Sequence, residues 1–151
     1  MRLFVFLHVL TMFAAVAMSG GSEILFGRIA RTRDAPAIRR AAEAFGQIAR
    51  FIAPTFILGL AFGLIAVFVH GFNPFAPWLL LAYPLFVAGM LVGALVTGPW
   101  IGRVAEAAAA GDPPTADLDA AVDDPRGRIG QVVFWMLIAA IVFVMVVKPL
   151  S

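Results

Sequence analysis

Four side chains that could bind a metal or carry a proton stand out from an otherwise apolar sequence. His8 and Met12 lie four residues apart in the first hydrophobic stretch, so on a helix both point to one side. An imidazole and a thioether together form a donor set that suits Cu(I). Glu23 follows in the same stretch, where a carboxylate in lipid is costly and requires a partner or a function. His70 is the second of the two histidines in the chain.

The composition places these residues in a membrane protein. Of the 151 residues, 62% are hydrophobic and 13% are charged, and the mean hydropathy is +0.98, outside the range of soluble domains. The net charge is only +2 and its arginines are clustered, so we expect contact with lipid headgroups and no binding of nucleic acid. Because the chain has no cysteine, a metal or haem would be held by His, Met, Tyr, Lys or carboxylates.

Four hydrophobic stretches are long enough to cross a bilayer as helices, since a hydrocarbon core of about 30 Å needs about 20 residues. They cover residues 3–27, 50–71, 76–99 and 129–148, and polar segments 28–49 and 100–128 separate them. Arginines occupy both polar segments, whereas the short second connection has no charge, so both segments should be cytoplasmic and both termini outside. We therefore expect a single-domain, all-α integral membrane four-helix bundle in an inner (plasma) membrane.

The two polar segments have different patterns. In 28–49, Ile38, Phe45 and Ile48 recur at helical spacing, which predicts an amphipathic helix at the membrane surface leading into the second span. In 100–128, Ala, Pro, Gly and Asp dominate, which predicts a flexible loop.

Glycine pairs at GxxxG spacing occur in two spans and favour close helix packing. Gly59 and Gly63 form one pair and Gly89 and Gly93 the other. We expect the second and third spans to pack on each other through them. A seam in a homo-oligomer or a larger membrane complex is the alternative.

The predicted topology brings a candidate ligand or proton group from every span to one layer near the outer face: His8, His70, Tyr83 and Lys148. Haem b in a helix bundle is held by axial histidine, with a cationic or polar group near the propionates. His8 and His70 could form an axial pair, or His8 could bind alone with Lys148 near the propionates. Copper bound by His8 and Met12 is an alternative, and so is a non-catalytic accessory or structural subunit without a cofactor.

Glu23 lies near the inner end of the first span, where arginines are close in sequence. A structural ion pair with Arg28, Arg50 or Arg103 is the first expectation, and a proton relay is the alternative.

The two ends of the sequence carry a resemblance. The start, LFVFLHVLTMFAAVAMSGG, resembles the first helix of a group of small bacterial four-helix membrane proteins. The group includes the membrane part of CopD-type copper proteins, the HemJ-type protoporphyrinogen oxidases and an uncharacterised family. The end, DDPRGRIGQVVFWMLIAAIVFVMVVKPL, resembles the closing helix of the same group, and the uncharacterised family is the best fit. The resemblance implies that His8 matches the haem-binding histidine and Lys148 the last-helix lysine of HemJ-like proteins. It assigns no catalytic residue and leaves open whether the chain is an enzyme.

Overall fold

The computed structural model describes residues 2–111 and 115–149, and within them every regular element is helical. The helices are α1 (Arg2–Ala30), α2 (Ala35–Val69), α3 (Pro77–Val92), a π-helix (Gly93–Thr97), α4 (Gly98–Ala109), α5 (Ala116–Asp123) and α6 (Pro125–Val147). Four helical segments are long and apolar enough to cross a membrane: Leu3–Ala30, Ala35–Val69, Pro77–Ala109 and Ala116–Val147. This confirms the predicted all-α fold with four helices able to span a bilayer.

Capping residues and left-handed residues set the helix ends. Asp34, Thr115 and Asp124 precede α2, α5 and α6, and each side chain accepts a hydrogen bond from a backbone N–H of the first turn. Gly71, with φ of +69°, follows α2 and lets the chain turn toward α3. Lys148 ends α6 in the left-handed conformation, with φ of +47°. The α1–α2 and α2–α3 connections are thus short and hydrogen-bonded.

The helices pack as two pairs, α1 on α2 and α3 on α6, and α4 contacts α2 while α6 contacts α1. We call the end of the bundle with the α1–α2 connection, α5 and the start of α6 the arginine end. The opposite end, with the α2–α3 connection and Lys148, is the terminal end. Three apolar clusters follow each other between the ends, centred on Ile38 and Val104, on Phe134, and on Trp78.

Many large apolar side chains point away from the bundle. Phe13, Phe75 and Val146 are 72%, 72% and 75% exposed. A water-facing surface of this kind would be unfavourable, since contiguous apolar patches are rare on soluble monomers. In a protein with four apolar helices of spanning length, these side chains are the ones that contact lipid.

The predicted surface helix is instead the first part of α2. With 35 residues at about 1.5 Å each, α2 is about 52 Å long and exceeds a hydrocarbon core of about 30 Å. Ile38 is fully buried, and Phe45 packs on the cluster at the arginine end, because the apolar face of this stretch covers α1 and α4. The helix therefore continues without a break from the second span, and the bundle covers its apolar face.

The predicted flexible loop over 100–128 is also largely helical. α4 runs to Ala109 and α5 covers Ala116–Asp123. Leu118 of α5 is fully buried in the cluster at the arginine end. Alanine is the strongest helix former, and the alanines of this segment support helices once Leu118 and Val104 have a core to enter.

The glycine pair of α2 faces α1, so the predicted seam between the second and third spans is wrong. A Cβ at Gly63 would lie 2.7 Å from Nδ1 of His8, and one at Gly59 would lie 3.1 Å from Sδ of Met12. Cβ atoms at Gly89 and Gly93 would meet nothing within 4 Å. Of the two glycine pairs, therefore, only the pair of α2 lies in a tight contact between helices.

Candidate functional site

Three buried polar side chains meet between α1 and the π-helix. Ser19, Glu23 and Thr97 are 6%, 7% and 3% exposed. The hydroxyls of Ser19 and Thr97 lie 3.4 and 3.3 Å from Oε1 of Glu23, to which they can donate. The second carboxyl oxygen, Oε2, is buried and has no hydrogen-bond partner. Half of this carboxyl group is thus held by the protein and half is free.

Pro99 explains how Thr97 reaches Glu23. Proline has no N–H and its ring clashes with the carbonyl four residues back, so a regular α-helix cannot continue through it. The chain widens into the π-helix Gly93–Thr97, where the N–H of Gly98 bonds to the carbonyl of Gly93 five residues back. Single π-helical turns of this kind recur at functional sites. The hydroxyl of Thr97 also lies 3.3 Å from the Gly93 carbonyl, so its one hydrogen serves one acceptor at a time.

Two glycines of α6 let that helix approach the site. A Cβ at Gly130 would lie 2.7 Å from Cγ2 of Thr97, and one at Gly127 would overlap the ring of Trp100. Trp100 donates from Nε1 to the carbonyl of Ala121, 3.1 Å away, which ties α4 to α5. The polar cluster is thereby enclosed by α1, the π-helix with α4, and α6.

A cavity of about 560 Å³ opens from this cluster toward the arginine end. Glu23, Thr97 and Trp100 line it, together with the charged or polar residues Arg31, Asp123, Asp124, Arg128 and Gln131. Its volume is within the range of about 300–1,000 Å³ typical of small-molecule sites.

The acids and the arginines around the cavity differ in how they are paired. Asp123 binds Arg33 at 2.9 Å, and Asp124 binds Arg103 at 2.8 Å. The side chains of Arg31 and Arg128 make no ion pair or hydrogen bond with any residue in the ranges 2–111 and 115–149. Free positive charge therefore lines the cavity, along with one unpartnered carboxyl oxygen.

The expected ion pair of Glu23 is not formed. Among the described residues, Arg103 is bound to Asp124, and Arg50 lies over the ring of Phe51 at 5.1 Å. Arg28 is exposed, and five residues along a helix turn it by about 140° from Glu23. The pairing with an arginine predicted from sequence is therefore wrong for the part of the chain that the structure covers, and hydroxyls take that place.

His8 and Met12 lie on one face of α1, as their spacing predicts, and this face packs on α2. Nδ1 of His8 is 2.7 Å from the carbonyl oxygen of Gly59. A carbonyl only accepts, so Nδ1 carries the hydrogen and a neutral ring has its lone pair on Nε2. Nε2 makes no hydrogen bond within the described residues, and it is the nitrogen left for a metal or a haem iron.

His70, Tyr83 and Lys148 surround the α2–α3 connection at the terminal end. Nδ1 of His70 bonds to the carbonyl of Ala66 at 2.9 Å, and its ring stacks on Phe72. Lys148 places Nζ 4.8 Å from the centre of the Phe72 ring and 5.2 Å from that of Trp78. Tyr83 donates to the carbonyl of Pro74 at 3.2 Å.

The structure therefore divides the predicted layer into two places. His8 contacts Gly63, which precedes His70 by seven residues, or about 10 Å of helix. His8 and Met12 come together, and His70 and Lys148 come together through Phe72, but the two sets do not meet. Within residues 2–111 and 115–149, no group of three or more His, Cys, Asp or Glu side chains is arranged around a metal position.

Comparison with protein-family models, curated proteins and solved structures finds no match for the chain. The resemblance to CopD-type and HemJ-type proteins, and the haem site it implies, therefore stay predictions. Sequence reasoning missed Ser19, Thr97 and the cavity. A usable signal was present, since Ser19 precedes Glu23 by one helical turn and Thr97 is a polar residue two positions before a proline in an apolar span.

Proposed function

We propose that this is a multi-pass membrane protein that binds and releases a proton at Glu23, with the cavity at the arginine end as the access route. The observation that carries the proposal is the buried, unpartnered Oε2 of Glu23 beside that cavity. Ionisable groups within apolar spans are rare and mark ion or proton pathways unless they are paired. Glu23 has two hydroxyl partners on one oxygen and none on the other.

Proton exchange fits the chemistry of this group. Leaving a buried acceptor unsatisfied costs about 1–3 kcal/mol, and more for a charged group. A protonated carboxyl loses its charge and gains an O–H that can donate into the cavity. The charged groups that line the cavity come from the α1–α2 connection (Arg31), from the end of α5 (Asp123), from the α5–α6 connection (Asp124) and from α6 (Arg128), and the π-helix contributes none. Proton binding at Glu23 will respond to these groups.

Labelling with dicyclohexylcarbodiimide tests the proposal, because this apolar reagent reacts with protonated carboxyl groups. Peptide mass spectrometry of the labelled protein should find the adduct on Glu23, and Glu23→Gln should remove it. Glu43 and Glu106 are exposed carboxylates that serve as internal controls and should stay unlabelled. Glu23→Gln should retain its helical circular dichroism, since the amide oxygen still accepts from Ser19 and Thr97. Labelling of the exposed acids without labelling of Glu23 would overturn the proposal.

A second candidate function is binding of haem b or copper through His8, favoured by the hydrogen bond of Nδ1 to Gly59. Such a bond fixes the tautomer and ring orientation of metal-binding histidines. The donor set fits one axial ligand from His8, and haem b would supply redox chemistry there. Purified protein should then show a Soret band that weakens in His8→Ala and persists in His70→Ala.

Metal analysis tests the copper alternative. Metal content should fall in a His8→Ala, Met12→Leu double variant relative to wild type. A colourless, copper-free preparation from haem-replete and copper-replete cells contradicts both forms of this candidate and leaves the accessory-subunit prediction.

The proposed orientation places the arginine end in the cytoplasm and both termini outside a bacterial inner membrane. It follows from the arginines of the segments 28–49 and 100–128 and from the uncharged α2–α3 connection. The chain has no cysteine, so single cysteines report topology directly. A membrane-impermeant maleimide should label Asn73→Cys in intact cells and Ala110→Cys only after lysis. The reverse pattern refutes the orientation.

A further inference from the structure

We propose that the cavity binds an elongated zwitterion, with a primary amine at Glu23 and a carboxylate at Arg31 and Arg128. This inference rests on the proton site proposed above and names the solute that shares it. It is carried by the separation of unpaired charge along the cavity wall. The free carboxyl oxygen of Glu23 marks one position, and the two unpaired guanidinium groups mark another.

The spacing of these groups favours a long ligand. Arg31 follows Glu23 by eight residues on one helix axis, or about 12 Å, although Arg31 itself lies just after the last residue of α1. On α6, Arg128 lies two residues before Gly130, which packs on Thr97 at the level of Glu23. Two residues are about 3 Å of helix, so a compact amino acid could span Glu23 and Arg128, whereas a ligand whose carboxylate also reaches Arg31 must be long.

Part of the cavity wall is apolar. Trp100, Ile101 and Val122 line the same cavity, and Trp100 is held in place by its bond to Ala121. A methylene chain fits such a wall. An amine and a carboxylate on such a chain match the two charged positions, since hydrogen bonds to ionised partners are stronger than neutral ones.

The acids near the arginines do not compete for the same ligand amine. Asp123 and Asp124 are neutralised by Arg33 and Arg103. Glu23 is therefore the unpaired acid of the cavity lining. The ligand ammonium and the proton compete for it: binding R–NH₃⁺ to the protonated carboxyl releases one H⁺ and leaves an ammonium–carboxylate pair. The exchange conserves charge and needs no other reactant.

Protection from carbodiimide labelling tests the inference with defined probes. 6-Aminohexanoate should slow labelling of Glu23, whereas hexanoate and hexylamine, which each carry one of the two charges, should protect less at equal concentration. Normal labelling that is unaffected by 6-aminohexanoate overturns the zwitterion site and leaves the proton site standing. Absence of labelling on Glu23 instead contradicts the proton site.

A thermal-shift measurement tests the ligand independently of labelling. 6-Aminohexanoate should raise the Tm of the detergent-purified wild type, and the apparent affinity should fall about tenfold or more in Arg128→Gln, as expected when a charged hydrogen-bond partner is removed. Arg126→Gln is the matched control, because Arg126 is exposed on the same helix and does not line the cavity. No shift in the wild type, or equal losses in both variants, refutes the site.

Discussion

Replacing Gly63 with alanine should push the ring of His8 out of its place between α1 and α2. The new Cβ would lie 2.7 Å from Nδ1 and 2.8 Å from Cε1 of His8, closer than real Cβ contacts occur. The ring must then shift or rotate, and its 2.7 Å hydrogen bond to the Gly59 carbonyl is lost or lengthened. The missing side chain of Gly63 therefore makes room for this polar contact between the two helices.

One stabilising effect and two destabilising effects make up the expected change in the free energy of unfolding. Alanine is favoured over glycine in a helix by about 0.8–1 kcal/mol, which stabilises the variant. Overpacking of a tight contact costs about 1–3 kcal/mol. Loss of an interhelical hydrogen bond in a membrane protein costs about 0.6 kcal/mol on average and up to about 1.7. The sum predicts a net loss of about 0.6–4 kcal/mol in the free energy of unfolding.

Unfolding in mixed micelles with increasing dodecyl sulfate measures this cost. Gly89→Ala is the matched control, because Gly89 is also a glycine of GxxxG spacing inside a helix, but its Cβ would meet nothing within 4 Å. It should be neutral or slightly stabilising. A double-mutant cycle with His8→Ala should show that Gly63→Ala costs little once the ring is absent. If Gly63→Ala is as stable as Gly89→Ala, or costs the same with and without His8, the inferred contact is wrong.

Two further variants probe the ends of the bundle. Gly127→Ala should displace the Trp100 ring and lower the free energy of unfolding by about 1–3 kcal/mol, with a change in tryptophan fluorescence. Gly102→Ala, where a Cβ meets open space, should do neither, and equal effects would contradict the packing. Lys148→Met should lower stability by about 0.5–2 kcal/mol through loss of its cation–π contacts. Lys148→Arg should largely restore it, and a Met variant as stable as wild type would remove the cation–π explanation.

The four spanning helices could be predicted because hydropathy identifies the apolar stretches that are stable only in contact with lipid or in a protein interior. The same measure misplaced their ends at the arginine end. α2 begins at Ala35 and α4 continues to Ala109, well inside segments that are polar on average. Ile38 and Val104 are buried there because helices of two pairs pack on each other beyond the apolar length. Mean hydropathy over a window does not detect a helix that is apolar on one face only.

The second feature that could not be predicted from the sequence is which helices pack on each other. The spacing of His8 and Met12 correctly predicts a shared face, since that follows from the geometry of one helix. The GxxxG pattern of α2 correctly predicts that another helix packs closely on it, but a surface of small residues does not specify which helix that is. Gly63 has room for a ring, and the ring that enters is that of His8. Chain order favours this outcome, because α1 and α2 are joined by only four residues and form an antiparallel pair.

The failed ion pair of Glu23 has a general physical cause. Arginines close in sequence are not close in space when a helix turns them away, and water at the bundle end solvates a guanidinium more readily than a buried cleft does. A buried carboxyl group instead takes partners that are already at the same depth. Ser19 is such a partner because it lies one turn away on α1. Thr97 becomes one because Pro99 widens the helix before it. These two hydroxyls hold one oxygen and leave the other without a partner, so the break in the third spanning helix and the reactivity proposed for Glu23 have the same origin.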